Sequence, residues 1–468
     1  MSYSKIKNIY FVGIGGIGMS ALARFYRHIG MNVAGYDRIV SPLTTQLERE
    51  GMDVHYEDNI SLIEDKFRDK EQTLVIYTPA IPKEHTELNY FTNNDFKVIK
   101  RSQALGALSS DKRLIAVAGT HGKTSISTMI TYFCSLALRI EEGEYGGASA
   151  LIGGIMKNFD SNLFLGGGDT LIVEADEFDR SFLQLFPDIA IISSVDADHL
   201  DIYGNHEALK ESFHAFASQI KECGTLIYHR AAELNIEELN INKYEYSLSN
   251  EESDFYGQNI SLGEDGLYSF DVVTPLGKIS GCKLGIPGII NVENSIAAIA
   301  ALVVAGCNVE KLKEAITQFK GVKRRFEVYV NTPEKVYIDD YAHHPKELSS
   351  TIESIKSIYP GKSITAIFQP HLFSRTRDFA KGFSQSLSLS DRVILLPIYP
   401  ARELPIEGVT SQMLLDDIAS PQKEVVEKEQ LIELLKEDKN DIVVSFGAGD
   451  IDRLCQSIKD IYCQSSDI

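Results

Sequence analysis

Residues Leu114 to Ala118 form an apolar run that leads straight into Gly119-Thr120-His121-Gly122-Lys123-Thr124-Ser125. A strand that turns through glycines into a lysine-led helix implies a parallel α/β sheet with an anion cradle. In such a turn the backbone N–H groups and the positive end of the helix dipole converge on one point. Lys123 adds a point charge for the outer phosphates, and the Thr124 hydroxyl is placed to hold Mg²⁺. The spacing Gly-x-x-Gly-Lys-Thr is two residues shorter than the general phosphate-loop pattern.

A second glycine loop opens the chain. The strand Ile9 to Val12 precedes Gly13-Ile14-Gly15-Gly16-Ile17-Gly18 and a helix from Met19 to Ile29, and the next strand, Val33 to Tyr36, ends at Asp37. Glycines for the turn and for close phosphate approach, with an acid for a ribose hydroxyl, complete a dinucleotide fingerprint. Taken alone it points to NAD, although the physics requires only a ribonucleotide diphosphate. The strand Thr73 to Tyr77 runs into a rigid loop, Thr78 to Pro82, at the ligand-facing edge.

At 468 residues the chain has room for about three domains, each with its own core. Its formal charge of −20 excludes a nucleic-acid backbone as an expected partner, because that binding needs a net basic face. Six cysteines without a Cys-x-x-Cys pair are expected as reduced thiols of a cytoplasmic protein. Lys5 and Lys7 before the apolar stretch Ile9 to Ala23 imitate a signal peptide, but the glycines interrupt its helical core. The longest later apolar run, Ser295 to Gly306, is too short to span a bilayer, so no membrane association is expected.

Three segments follow. The second begins near Ser109, with a helix Ser125 to Leu138, a glycine-rich stretch Gly143 to Gly168 read as mostly loop, and acid-tipped strands Leu171 to Glu177 and Ile189 to Asp196. Residues 225–286 alternate apolar and polar, suggesting an antiparallel flank. A helix from Asn291 to Ala305 precedes the charged link Lys323-Arg324-Arg325, after which strands Val336–Asp340, Ser363–Phe368, Arg392–Leu396 and Asp441–Phe446 alternate with helices. The expected fold is α/β in three domains: an N-terminal Rossmann-like domain (1–108), a central phosphate-loop ATPase with a mostly parallel sheet (109–322) and a C-terminal doubly wound Rossmann-like domain (323–468).

Glu174 ends a strand fifty residues after Thr124, where a nucleotide-binding sheet puts its metal acid. His199 is read as ending the next strand on the same edge, so that Thr124, Glu174 and His199 would hold Mg²⁺ between the phosphates and a second anion. In the third segment, Asp339 to Pro345 and Phe368 to Asp378 are polar clusters at strand exits, where ligands gather in open α/β sheets. Arg375 and Arg377 suit bidentate grip on a small carboxylate, which Lys would do poorly.

These residues carry a resemblance that covers nearly the whole chain. Gly13 to Ser20, Gly119 to Thr124, Glu174-Ala175-Asp176-Glu177, Asp198-His199-Leu200-Asp201, Asp340 to Pro345 and Phe368 to His371 resemble, in order, the motif set of the Mur ligases. The resemblance implies ATP-dependent amide formation, joining L-alanine to the lactyl carboxylate of UDP-N-acetylmuramate through an acyl phosphate. The first loop, Gly13, Gly15, Gly16, Gly18, Met19 and Ser20, would then hold the UDP diphosphate rather than NAD, with Asp37 and Thr78 toward uridine. ATP would lie on Gly119 through Ser125, with Asn291 and Asn294 at adenine and Arg325 and Asp340 as later contacts. Tyr341, His343, Arg375 and Arg377 would face alanine, and Lys123, Glu174, His199, His343 and Arg375 would carry the chemistry. A recycling ligase that adds a tripeptide to the same sugar nucleotide is the near alternative, and an NAD-dependent oxidoreductase a remote one. The chain departs from the family pattern with Ile290 where His is usual, Leu372 where Arg is common, and Ser193-Ser194 where Thr-Asn is frequent. Phe213 stands where relatives that add later amino acids use a carbamylated lysine.

Overall fold

In the computed structural model, which describes residues 5–137, 147–401 and 403–464, each glycine loop leaves the carboxyl end of a buried parallel strand. Strands β1 (Asn8–Val12), β2 (Asn32–Tyr36), β3 (Asp53–His55), β4 (Thr73–Tyr77) and β5 (Lys97–Lys100) form one sheet in the order β3-β2-β1-β4-β5. All its pairings are parallel. The connections reverse direction between β1 and β4, and a crevice opens at such a switch point. The Gly13 loop and the Thr78 loop flank that crevice: Thr78 N donates to Val12 O at 3.3 Å, and the Thr78 methyl lies 2.6 Å from where a Cβ on Gly13 would stand.

The second sheet is built on β6 (Arg113–Ala118), which lies between β9 (Thr170–Glu174) and β10 (Ile189–Ile192), all parallel. The helix Lys123–Ala137 follows β6 and is buried on almost every side, as its apolar and small-residue composition allows. Its expected last residue, Leu138, lies outside the described residues, as do 143–146 of the glycine-rich stretch. The remainder of that stretch is mostly strand. It holds β7 (Ala148–Met156) and β8 (Ser161–Phe164), an antiparallel hairpin that pairs through β7 with β9. Gly153 within β7 marks a close approach by the Glu174 carboxylate rather than a turn.

The flank at 225–286 also differs from expectation. β11 (Thr225–His229) runs parallel to β10, β12 (Asn242–Ser247) parallel to β11, and β13 (Phe255–Leu262) starts parallel to β12. β14 (Tyr268–Thr274) and β15 (Gly277–Lys283) do form an antiparallel hairpin. Alternating polarity reports one solvated face, and strand direction is set instead by the connections.

In the last sheet β16 (Glu327–Asn331) pairs antiparallel with β17 (Val336–Asp340). Beyond it, β21 (Ile442–Phe446), β18 (Ile364–Phe368), β19 (Arg392–Leu395) and β20 (Gln422–Val425) continue in parallel. Successive residues go to opposite cores: Ile338, Ala366, Val393 and Val444 to one, Tyr337, Ile367, Ile394 and Val443 to the other. Both faces are therefore covered, as a doubly wound sheet requires. Contacts group residues 1–198, 205–256 and 296–315 into one unit, and 199–204, 257–295 and 316–468 into another. Among the described residues no helix is long and apolar enough to cross a membrane.

Candidate active site

The first anion cradle lies at the start of the helix Ile17–His28. Gly13 N and Ile14 N donate to Tyr36 O, and Gly15 N donates to Asp37 Oδ2 at 2.7 Å. Asp37 thus braces the loop itself. The helix begins at Gly16 with no side-chain cap, which leaves its first N–H groups for an anion. Met19 and Ser20 are buried; the Ser20 hydroxyl donates to Ile17 O and accepts from Asn162 Nδ2 on β8. Ser20 thus ties the helix to the hairpin.

The second cradle is held from behind by the residues that follow β10. Gly119 takes φ +131°, and the Ser193 hydroxyl fills the space a side chain there would need. Thr120 N donates to Ser194 O at 3.1 Å, His121 N donates to Ser194 Oγ at 2.9 Å, and the Ser193 hydroxyl donates to Ala118 O and to His121 O. The departure at Ser193-Ser194 therefore keeps a hydroxyl brace under the loop. Thr120 Oγ1 accepts from Asp196 N, and His121 Nε2 lies 3.4 Å from Asp196 Oδ2.

Lys123 and Thr124 meet carboxylates at once. Lys123 Nζ donates to Gly119 O at 2.6 Å and pairs with Glu177 at 2.8 Å, where the Glu177 side chain is only 1% exposed. Burial alone would lower the Lys123 pKa, but Glu177, Glu174 and Asp176 outweigh it and hold the ammonium above the ordinary lysine range. The Thr124 hydroxyl donates to Glu174, 2.9 and 3.0 Å from its two oxygens, and Gly153 N on β7 donates to Glu174 Oε2 at 2.9 Å. A hydroxyl beside a carboxylate is a hard oxygen donor set that suits Mg²⁺. His199 does not end a strand: residues 193–198 intervene after β10 because Ser193 and Ser194 turn away to hold the phosphate loop. It caps the short helix Leu200–Tyr203 at φ 52° and belongs to the other compact unit.

That unit contains the remaining expected residues. Asn291 and Asn294 are buried on the helix Ile289–Val304; Asn291 Nδ2 donates to Pro287 O at 2.7 Å, and Ile290 beside it is 38% exposed. At the exit of β17, Asp340 accepts from Phe326 N at 2.9 Å and Ala342 N at 2.8 Å. Burial raises its pKa to about 6 despite the nearby Arg325 cation and these donors. The Arg325 and Arg324 guanidinium carbons lie 4.9 and 5.2 Å from the centre of the Tyr341 ring, and Arg324 Nε pairs with Asp339 at 3.0 Å. His343 N donates to Glu347 Oε2, while His343 Nδ1 lies 3.0 Å from Tyr341 O. The His371 ring is 6.5 Å from His343 and stacks on Tyr399. Arg375 is buried, whereas the Arg377 side chain is 54% exposed and donates to its neighbour Asp378 at 2.8 Å. The two arginines diverge, and Leu372 is buried at φ 69° ahead of their helix, Phe373–Asp378.

Sequence reasoning missed Glu177, Gly153 and the pair Arg101–Asp176, whose Nη2 and Oδ2 are 2.7 Å apart. A signal existed for the last: Lys100 and Arg101 put two cations at the start of the helix Arg101–Ser109, against its dipole.

Three family models match in chain order: the Mur ligase family catalytic domain at residues 8–113, the middle domain at 117–302 and the glutamate ligase domain at 324–449. A UDP-N-acetylmuramate–L-alanine ligase of Parabacteroides distasonis is 46% identical over 467 residues, 99% of each chain. One from Flavobacterium psychrophilum is 46% identical over 460 residues, 98% of this chain and 99% of its own. The crystal structure of a UDP-N-acetylmuramate–alanine ligase from Thermotoga maritima superposes with a TM-score of 0.79 at 26% identity, covering 98% of this chain and 99% of that one. With both phosphate loops and the acid-tipped strands in their expected order, and identity at this level from end to end, the chain belongs to the Mur ligase family.

Proposed function

We propose that this enzyme joins L-alanine to the lactyl carboxylate of UDP-N-acetylmuramate, with ATP cleaved to ADP and phosphate. The observation that carries the reading is two phosphate cradles of different design within one compact unit: the uncapped Gly13–Gly18 loop and the lysine-bearing Gly119–Thr124 loop. An oxidoreductase needs only the first. The similarity to L-alanine ligases over the whole chain supports the choice of acceptor. Domain limits at 1–108, 109–322 and 323–468 and a cytoplasmic location, where ATP and nucleotide sugars are made, belong to the same proposal.

The lactyl carboxylate oxygen attacks the γ-phosphorus and ADP leaves; the alanine amine then attacks the acyl carbon, and phosphate departs with the C–O bond electrons. Both partners in the first step are anions, so catalysis rests on positioning and on cations in a dry site. Lys123 neutralises the transferring phosphoryl group once the phosphates take its ammonium from Glu177. Thr124 and Glu174, with His199, would hold Mg²⁺, which would supply further charge neutralisation. Backbone N–H groups at Gly13–Gly18 would fix the UDP diphosphate, while Asn291 and Asn294 hold adenine and Arg325 and Asp340 support the ATP side. His343, whose Nδ1–H is directed to Tyr341 O, would take the proton that the alanine ammonium must lose. Arg375 grips the alanine carboxylate, with Tyr341 and Arg377 at its margin.

The test is phosphate release with ATP, Mg²⁺ and UDP-N-acetylmuramate, comparing L-alanine, the L-alanyl-led tripeptide and no acceptor. Release that depends on L-alanine is expected. Release only with the tripeptide would make the enzyme a recycling ligase, and release indifferent to any acceptor would remove the ligase reading.

A further inference from the structure

Arg101 touches both halves of the first unit's chemistry: it lies against Gly18 of the first loop and pairs with Asp176, two residues beyond Glu174. It opens the helix Arg101–Ser109, where a positive side chain opposes the helix dipole, and Lys100 before it does the same. Acids from one loop hold both: Asp176 pairs with Arg101 at 2.7 Å and Asp179 with Lys100 at 2.8 Å. That loop bends sharply, with the non-glycine residues Asp179 and Arg180 at φ 53° and 52°. Left-handed backbone at two side-chain-bearing residues is unfavourable and persists only where surrounding contacts impose it. The same loop carries Glu177, which meets Lys123, and follows directly on Glu174, which meets Thr124.

The other side of the guanidinium faces the first cradle. Arg101 Nη1 fills the space that a Cβ on Gly18 would need, and Arg101 Cζ is 3.4 Å from that point. Gly18 lies in the first turn of the uncapped helix Ile17–His28. Among the described residues Asp176 is the only hydrogen-bond acceptor of Arg101, so Nη1 and Nε keep their protons for something else. A planar fork with one tine tied to a carboxylate and another over a helix N-terminus matches an anion seated on that N-terminus.

We propose that Arg101 is a binding residue for the diphosphate of the sugar nucleotide, and that through Asp176 it also positions the loop that leaves Glu174 and bears Glu177. The inference rests on the diphosphate assignment made under Proposed function. It explains why Gly18 must lack a side chain: a Cβ would push the guanidinium off the helix start. It also makes the sugar-nucleotide site and the ATP site share one ion pair, so filling the first alters the anchoring of the acids that face the second.

The experiment measures binding of UDP, UMP and ADP to the full-length enzyme by calorimetry, for wild type, Arg101→Ala, Arg101→Lys and Asp176→Asn. Arg101→Ala should weaken UDP binding tenfold or more but UMP binding much less, so the UDP-to-UMP preference collapses; ADP binding should change less than twofold. Arg101→Lys should recover part of that preference, since charge remains but the fork is lost. Asp176→Asn should keep UDP affinity yet lower kcat, because Arg101 stays charged while the loop loses its anchor. Should Arg101→Ala not fold, the Lys variant carries the same comparison in the same direction. An unchanged UDP-to-UMP preference in a folded Arg101 variant overturns this inference alone. Failure of the wild type to prefer UDP over UMP overturns the diphosphate assignment, and this inference with it.

Discussion

At the scale of single residues, the lysine of the candidate site is already coupled to an acid, Glu177. Lys123 leans on Glu177 and on its own loop carbonyl, an arrangement that keeps the ammonium charged inside a buried pocket. The residues proposed for the amino-acid end are thinner in donors. Leu372 supplies none, Arg377 points to Asp378, and Arg375 is the buried guanidinium that remains of the pair. Arg375→Lys should therefore raise the L-alanine KM tenfold or more while leaving the ATP KM within about twofold, because lysine keeps the charge but loses the planar fork. Saturation curves in each substrate check this. Equal rises in both KM values would move Arg375 to the phosphate site or to a purely structural role.

At the scale of elements, the hairpin of β7 and β8 shows what the sequence left hidden. The parallel strands, both glycine loops and the doubly wound last sheet were legible because buried parallel strands read as continuous apolar runs with glycine or acid at their exits. Glu174 was legible for the same reason, at the end of β9. The hairpin was not, because β7 contains Gly153 and Gly154, which score as loop. Gly153 is there for an approach from another strand: a Cβ on it would lie 2.5 Å from Glu174 Oε2. The antiparallel reading of 225–286 failed through its use of polarity to infer direction, and Glu177 looked like any acid in an exposed stretch until burial paired it with Lys123. Gly153→Ala should push the Glu174 carboxylate off Thr124 without disturbing the first cradle. Turnover is expected to fall on the order of tenfold to a hundredfold, with a higher Mg²⁺ requirement and unchanged UDP binding. A magnesium titration of activity, beside UDP calorimetry, measures both; normal magnesium dependence would show that the strand yields instead of the carboxylate.

At the scale of the whole molecule, two buried carboxyl groups with raised pKa values make stability vary with pH. Under the first sheet the Tyr10 hydroxyl lies 2.8 Å from Glu87 Oε2 and 2.7 Å from His55 Nε2, and Glu87 Oε1 accepts from Asn59 N. Burial, with Asp58 nearby, raises the Glu87 pKa from 4.5 to about 7 despite the bonds from Tyr10 and Asn59. Burial likewise lowers that of His55. With Glu87 ionised, Tyr10 Oη donates to Glu87 Oε2; once Glu87 is protonated that bond reverses, so that Glu87 donates to Tyr10, Tyr10 to His55 Nε2, and His55 Nδ1–H to Glu57 O. The unfolded chain gives up the Glu87 proton near pH 4.5, while the folded chain keeps it until about 7. The folded state therefore binds more protons across that interval, and stability must fall as pH rises through it. Asp340, raised to about 6, adds a decline of the same sign that ends earlier. Glu87→Gln mimics the protonated acid: its amide can donate to Tyr10 and its carbonyl can still accept from Asn59. The variant should match wild type near pH 4.5 and exceed it by about 2 kcal/mol at pH 8, allowing for residual solvent screening. Urea unfolding midpoints from pH 4.5 to 8 decide the matter, since parallel curves for the two proteins would mean that Glu87 is already ionised in the folded state across the range.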